Sequence, residues 1–168
     1  MSDLKQKIQQ DLNQAIKKNE ETGRSTLRYL LSAILGKEKE KRYKISKELK
    51  AAKESEIIEK SQLTEEEIID VVSSEVKKRR EAIAAFEKGR REDLAQKEKS
   101  ELEILSKYLP EQLSEEKIRD IVKAAVEKTG ASQIKDMGKV MAAIMPRVKG
   151  KADGSLVSKI VKELLSPK

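Results

Sequence analysis

The 168-residue chain has no cysteine, no histidine and no tryptophan. Without cysteine there are no disulfides, no thiolate nucleophile and no thiolate zinc site; without histidine there is no imidazole base, so every catalytic triad that needs one is excluded. Aromatic residues are 2% of the chain, namely Tyr29, Tyr43, Phe86 and Tyr108. That is too few for a row of platforms on which single-stranded bases could stack. Long apolar runs are missing too: no window approaches the roughly 20 residues of a membrane span, and the opening residues carry charges every few positions. A cytoplasmic protein with no membrane association is expected, and the missing cysteine fits a reducing compartment.

What is present is charge. Charged residues make up 40% of the chain against 37% apolar. Both signs are interspersed, which favours ion-paired helix faces over disorder. The net charge is +7, and it sits unevenly. Residues 1–50 hold 13 basic and 7 acidic side chains, residues 51–110 hold 12 and 15, and residues 111–168 hold 12 and 8. Basic ends suit a polyanionic partner, though they also serve solubility.

The apolar residues recur at helical spacing throughout. Leu4, Ile8, Leu12 and Ile16 follow Ser2, a candidate N-cap, and predict a helix from residue 3 to about 18, with Asn19 and Gly23 bracketing its end. Leu27, Leu30, Leu31, Ile34 and Leu35 predict a second helix packed on the first. Residues 36–62 are Lys/Glu-rich and apolar-poor, and read as a solvated helix or a connector with partial order. Thr64 and Glu67 form a capping box ahead of the stripe Ile69, Val72, Val76, Ile83 and Phe86. A further helix with Leu94, Leu102, Leu105 and Leu109 is expected to run to Pro110, and a short Gly-Arg-Arg-Glu-Asp turn makes the two a long antiparallel hairpin. After Pro110, Ser114 can cap a helix carrying Ile118 to Val126 and ending near Gly130. A second carries Val140 to Met145 and stops at Pro146; a third, capped by Asp153, carries Val157 to Leu165. The fold class is therefore all-α, with an N-terminal helical domain over 1–110 and a small three-helix bundle over 111–168.

The loop Arg147 to Gly154 is the densest candidate site. Its cations Arg147, Lys149 and Lys151 and its glycines Gly150 and Gly154 precede a helix N-terminus, where unsatisfied amides and the helix dipole favour a phosphate. Its order is not that of a Walker A loop. A plain turn made soluble by lysine is the other reading. Gly138, one position into its helix, leaves room for a close helix contact or a ligand. Met137, Met141 and Met145 recur every fourth residue, either as core or as an adaptable groove. On the hairpin, Lys77, Lys78, Arg79, Arg80, Arg90 and Arg91 lie among Glu75, Glu81, Glu87, Glu92 and Asp93, which reads as a salt-bridged face more than an RNA track. Glu65, Glu66 and Glu67 occupy a helix start, where acids are expected, and neither a metal site nor a cofactor site emerges.

The runs Gly89-Arg90-Arg91-Glu92-Asp93-Leu94, Glu101-Leu102-Glu103-Ile104-Leu105 and Tyr108-Leu109-Pro110-Glu111-Gln112-Leu113-Ser114 resemble the YqeY-like family of small bacterial proteins. So do Asp136-Met137-Gly138-Lys139-Val140-Met141, Met145-Pro146 and Lys149-Gly150-Lys151-Ala152-Asp153-Gly154. The charged stretch 36–62 looks longer than the family pattern and is given no role. The C-terminal module is similar to the tail domain of the B subunit of the tRNA-dependent amidotransferase, where related G-x-V-M and G-x-A-[ND] segments occur and the tail helps recognise the body of the tRNA. The resemblance implies a non-catalytic tRNA-docking or amidotransferase-associated module, with Lys139, Lys149 and Lys151, together with Arg147 and Lys135, on the phosphates of a folded RNA. The amidase Ser-Ser-Lys machinery and the kinase-like cradle of that complex have no counterpart here. Two alternatives stand beside it. One is an adaptor presenting Arg79, Arg80, Arg90 and Arg91 to an acidic protein; the weaker is an enzyme related to carbon–nitrogen ligases that uses only carboxylates and lysines.

Overall fold

A computed structural model describes residues 2–49 and 53–166. It contains eight α-helices and, among the described residues, no strand. The chain forms two compact units, Met1–Tyr108 and Leu109–Lys168.

In the first unit, α1 (Asp3–Lys17) starts where the Ser2 hydroxyl accepts the Lys5 N–H at 3.3 Å, and it buries Ile8, Leu12 and Ala15. The turn that follows is tighter than the sequence suggests. Asn19 takes the left-handed conformation, and α2 (Glu21–Glu48) has already begun at Gly23. There the missing side chain matters, because a Cβ on Gly23 would stand 3.4 Å from the Ala15 Cβ of α1.

Of the two readings of the stretch after Gly36, the helix is realised as far as Glu48: α2 is one continuous helix of 28 residues, so Lys37 to Glu48 are helical and not a connector. Strong helix formers at the charged positions and anchoring by tertiary ion pairs explain this. Glu38, 6% exposed, accepts Lys5 Nζ on both oxygens at 2.6 and 2.7 Å and the Leu63 N–H at 3.4 Å. Lys41 donates to Glu67 at 2.7 Å. A short α3 (Glu54–Lys60) buries none of its residues.

The helix α4 (Glu65–Lys88) opens with the expected capping box, Thr64 and Glu67 bonding each other's backbone. Its buried face is Ile68, Val71, Val72 and Val76; Ile69, expected in that stripe, is only half-buried. A turn through Gly89, Arg90 and Arg91 leads into α5 (Glu92–Ser106), with left-handed Arg90 as its strained position. The final turn expected up to Pro110 is absent, since α5 stops at Ser106. Tyr108 instead packs inward and donates to Asp11 Oδ2 at 2.7 Å. Burial, with that carboxylate, pushes the Tyr108 hydroxyl well above its ordinary pKa.

In the second unit, α6 (Glu115–Thr129) is capped by Ser114 and ends at left-handed Gly130. A single 3-10 turn (Ile134–Asp136) leads into α7 (Met137–Val148), and α8 (Gly154–Leu165) follows. Ile118, Val122, Val140, Ile144, Val157, Ile160 and Val161 form a core with almost no exposed surface. Pro146 does not stop α7, which runs on to Val148. In a last turn proline removes a single amide donor, and Val148, 3% exposed, is held by the core.

Candidate functional site

Between Lys135 and Lys151 the chain carries five cations and one carboxylate, Asp136. All five cations, Lys135, Lys139, Arg147, Lys149 and Lys151, are exposed. The structure divides them between the two ends of α7. Lys135 and Lys139 flank its start; Arg147, Lys149 and Lys151 gather at its finish. Lys139 and Lys149 are ten residues apart, about 15 Å of helix axis. That is too far to grip one phosphate and suits an extended polyanion. The side chains exposed between the two groups, Ala142, Ala143, Met145 and Pro146, are uncharged. Met137 and Met141 pack against the core, whereas Met145 is 42% exposed, so the methionine stripe divides between the two roles weighed for it.

The cation-rich loop is held by Gln112 and Leu113, which lie in the family-like run Tyr108 to Ser114 but to which the sequence assigns no role. The Gly150 carbonyl accepts Gln112 Nε2 at 2.8 Å, and the Lys151 carbonyl accepts the Leu113 N–H at 2.7 Å. Gly150 is left-handed, with φ 72°, which explains a glycine there. These contacts fix the loop backbone while the Lys149 and Lys151 side chains point to solvent. Gln112 and Leu113 lie 38 residues from their partners, a separation no local pattern reveals.

The start of α8 carries the expected Asp153 cap and is not an open phosphate cradle. Asp153 Oδ1 accepts the Ser155 N–H at 2.7 Å and the Leu156 N–H at 3.3 Å. The protein's own carboxylate thus occupies amides that a bound phosphate would use. A Cβ on Gly138 or Gly154 would meet no atom within 4 Å. No helix packs closely on Gly138; it leaves a flat, open spot beside Lys139. At the other edge, Asp136 accepts the Ser132 and Gln133 amides and lies 3.6 Å from Lys139. Those amides, with Lys139 and Lys135 nearby, hold its carboxyl below the usual aspartate range.

The hairpin cations are spent differently. Arg79 is enclosed, its side chain 17% exposed, with Glu101 at 3.0 Å, Glu98 at 3.4 Å and the Tyr29 ring 5.3 Å away. It is not available to a partner, contrary to the adaptor expectation. Lys78 bonds buried Glu75 at 2.7 Å, Lys77 faces Glu81, and Arg91 bonds Asp93. In the same unit, a cleft of about 500 Å³ between α2 and α4 is lined by Lys37, Lys41, Lys78, Glu40, Glu67 and Glu75, which pair with one another. Among the described residues no group of three or more carboxylates is arranged to hold a metal ion, and no helix is long and apolar enough to cross a membrane.

The molecule is thus an all-α protein of two helical units, with five exposed cations grouped around α7. The family model described as Yqey-like protein matches residues 37–165, well over half of the chain, and the chain belongs to the YqeY-like family. The match takes in the charged stretch from residue 37 and leaves out α1 and the first half of α2. No curated protein matches the chain.

Proposed function

We propose that the second unit is a docking module for the phosphate backbone of a folded RNA, a tRNA body being the first candidate. The observation that carries the reading is the pair of cation groups at the two ends of α7, joined by a face without carboxylates, one of them on a loop whose backbone is braced by Gln112 and Leu113. Phosphate contacts from lysine and arginine position an RNA without reading its sequence, and duplex RNA is recognised largely by shape and backbone. Few aromatics are needed for that, and few are present. The likeness of this module to the tail of the amidotransferase B subunit supports tRNA over other folded RNAs, and association with that complex is the corresponding cellular role. The chain's part is positioning, not chemistry.

Titrating tRNA binding against salt tests the reading. Each neutralised phosphate contributes about 0.7 to 0.9 to the slope of log K against log salt. Lys149→Gln with Lys151→Gln should weaken binding and flatten the slope by roughly two phosphates. Arg90→Gln with Arg91→Gln on the hairpin should leave it unchanged. No binding at low salt would sink the proposal, and a reversed pattern would transfer the working surface to the hairpin.

A further inference from the structure

The continuity of α2 assembles a surface that its sequence presents only as two unrelated pieces. At 100° per residue, Arg28, Leu35, Lys39 and Tyr43 fall within a sector about 80° wide, with Ser32 inside it and Gly36 at its edge. All six are exposed; Leu35 stays 46% and Tyr43 62% accessible. Arg28 and Lys39 make no ion pair with another described residue. Of the carboxylates of α2, Glu38 is buried on Lys5, Glu40 bonds Lys37 beside the cleft and Glu48 falls on the opposite face; Glu21, exposed about two turns before Arg28, is the one in line with the sector. Lys47 stacks over the Tyr43 ring at 4.4 Å and steadies it.

Gly36 gives the face its direction of use. Glycine is a poor helix former, yet it stands in mid-helix, and a Cβ there would meet no atom within 4 Å. Nothing inside the protein needs the missing side chain, so the room it leaves faces outward.

We propose that this face of α2 docks an acidic amphipathic helix of a partner protein. Leu35 and Tyr43 enter the apolar stripe of that helix, Ser32 and Gly36 let the two helices approach closely, and Arg28 and Lys39 meet its carboxylates. A nucleic-acid backbone would use the two cations but would have no use for Leu35 or for the gap at Gly36. The surface lies outside the RNA-docking module and does not depend on that reading.

The test uses the full chain and a labelled synthetic helix of about 20 residues with a leucine stripe flanked by glutamates, followed by fluorescence anisotropy at low and moderate salt. Wild type should bind. Leu35→Ser with Tyr43→Ser should weaken binding roughly tenfold without changing its salt dependence, and Arg28→Glu with Lys39→Glu should weaken it as much while removing that dependence. Gly36→Gln separates docking from folding, because it should raise thermal stability while lowering affinity; circular dichroism confirms that each variant is folded. Three outcomes overturn the proposal: no binding at low salt, full binding by the Leu35/Tyr43 and Gly36 variants, or loss of duplex RNA binding instead of peptide binding on reversing Arg28 and Lys39.

Discussion

The two units handle an abundance of charge in opposite ways. In the first, three cations are consumed between helices: Lys5 closes on Glu38, Lys41 on Glu67 and Arg79 on Glu98 and Glu101, each pair joining two helices. In the second, apolar residues alone fill the core, the cations from Lys135 to Lys151 stay at the surface, and the visible cross-helix pair is Arg119 with Glu163. A cation tied between carboxylates holds helices together; one left in water beside a braced backbone is available to a partner. Density of lysine and arginine in a sequence therefore says less about binding than the whereabouts of the neighbouring carboxylates.

The comparison can be broken most forcefully at the cores. Ile160→Ala should destabilise the second unit by about 2–5 kcal/mol, the usual loss for a buried aliphatic side chain and the cavity left behind. Hydrogen exchange should then show faster opening across α6 to α8 and leave Ile34 and Val72 in the first unit protected. Next in size is Arg79→Met, which strands Glu98 and Glu101 against each other and should cost about 3 kcal/mol at neutral pH by chemical denaturation. The same measurement on Lys151→Gln should show a change within about 0.5 kcal/mol, since that side chain holds nothing together.

Removing the cap with Asp153→Ala should lower stability by about 1 kcal/mol and open the first amides of α8. If the cap also competes with a phosphate for those amides, the variant should bind RNA more tightly despite being less stable. The smallest effect is at Asp136. Its folded pKa is depressed, so its contribution to stability is present above the pKa of an unfolded aspartate and is lost as pH falls through the folded value. Asp136→Asn should therefore be less stable than wild type at neutral pH, with the two converging in strong acid, and carboxyl NMR should place the Asp136 titration below the ordinary aspartate range.

Most helices were legible from spacing and caps. The Thr64–Glu67 box, Ser114, left-handed Gly130 and Asp153 act locally, within four residues of what they satisfy. Misreadings arose where a distant partner decided the matter. The stretch after Gly36 reads equally as a solvated helix or a connector because its apolar residues are sparse; it is helical to Glu48 because Lys5 of α1 and Glu67 of α4 hold it. Pro146 reads as a stop, but Val148 beyond it is drawn into the core. Arg79 reads as surface charge, and two carboxylates on the antiparallel α5 enclose it.

By itself the sequence determined the all-α class, the exclusion of thiol and imidazole chemistry, the family, and the concentration of cations around Gly138 and Gly150, since composition, period and motif are properties of the chain in one dimension. Only the tertiary structure decided which charges are spent, that the loop at Gly150 is braced by Gln112 and Leu113, that Asp153 occupies its own helix start, and that Leu35, Lys39 and Tyr43 share one open face of α2. The physical reason is the same in each case. An electrostatic or hydrogen-bonding partner is chosen by proximity in space, and in a helical fold the nearest carboxylate or amide often lies tens of residues away along the chain.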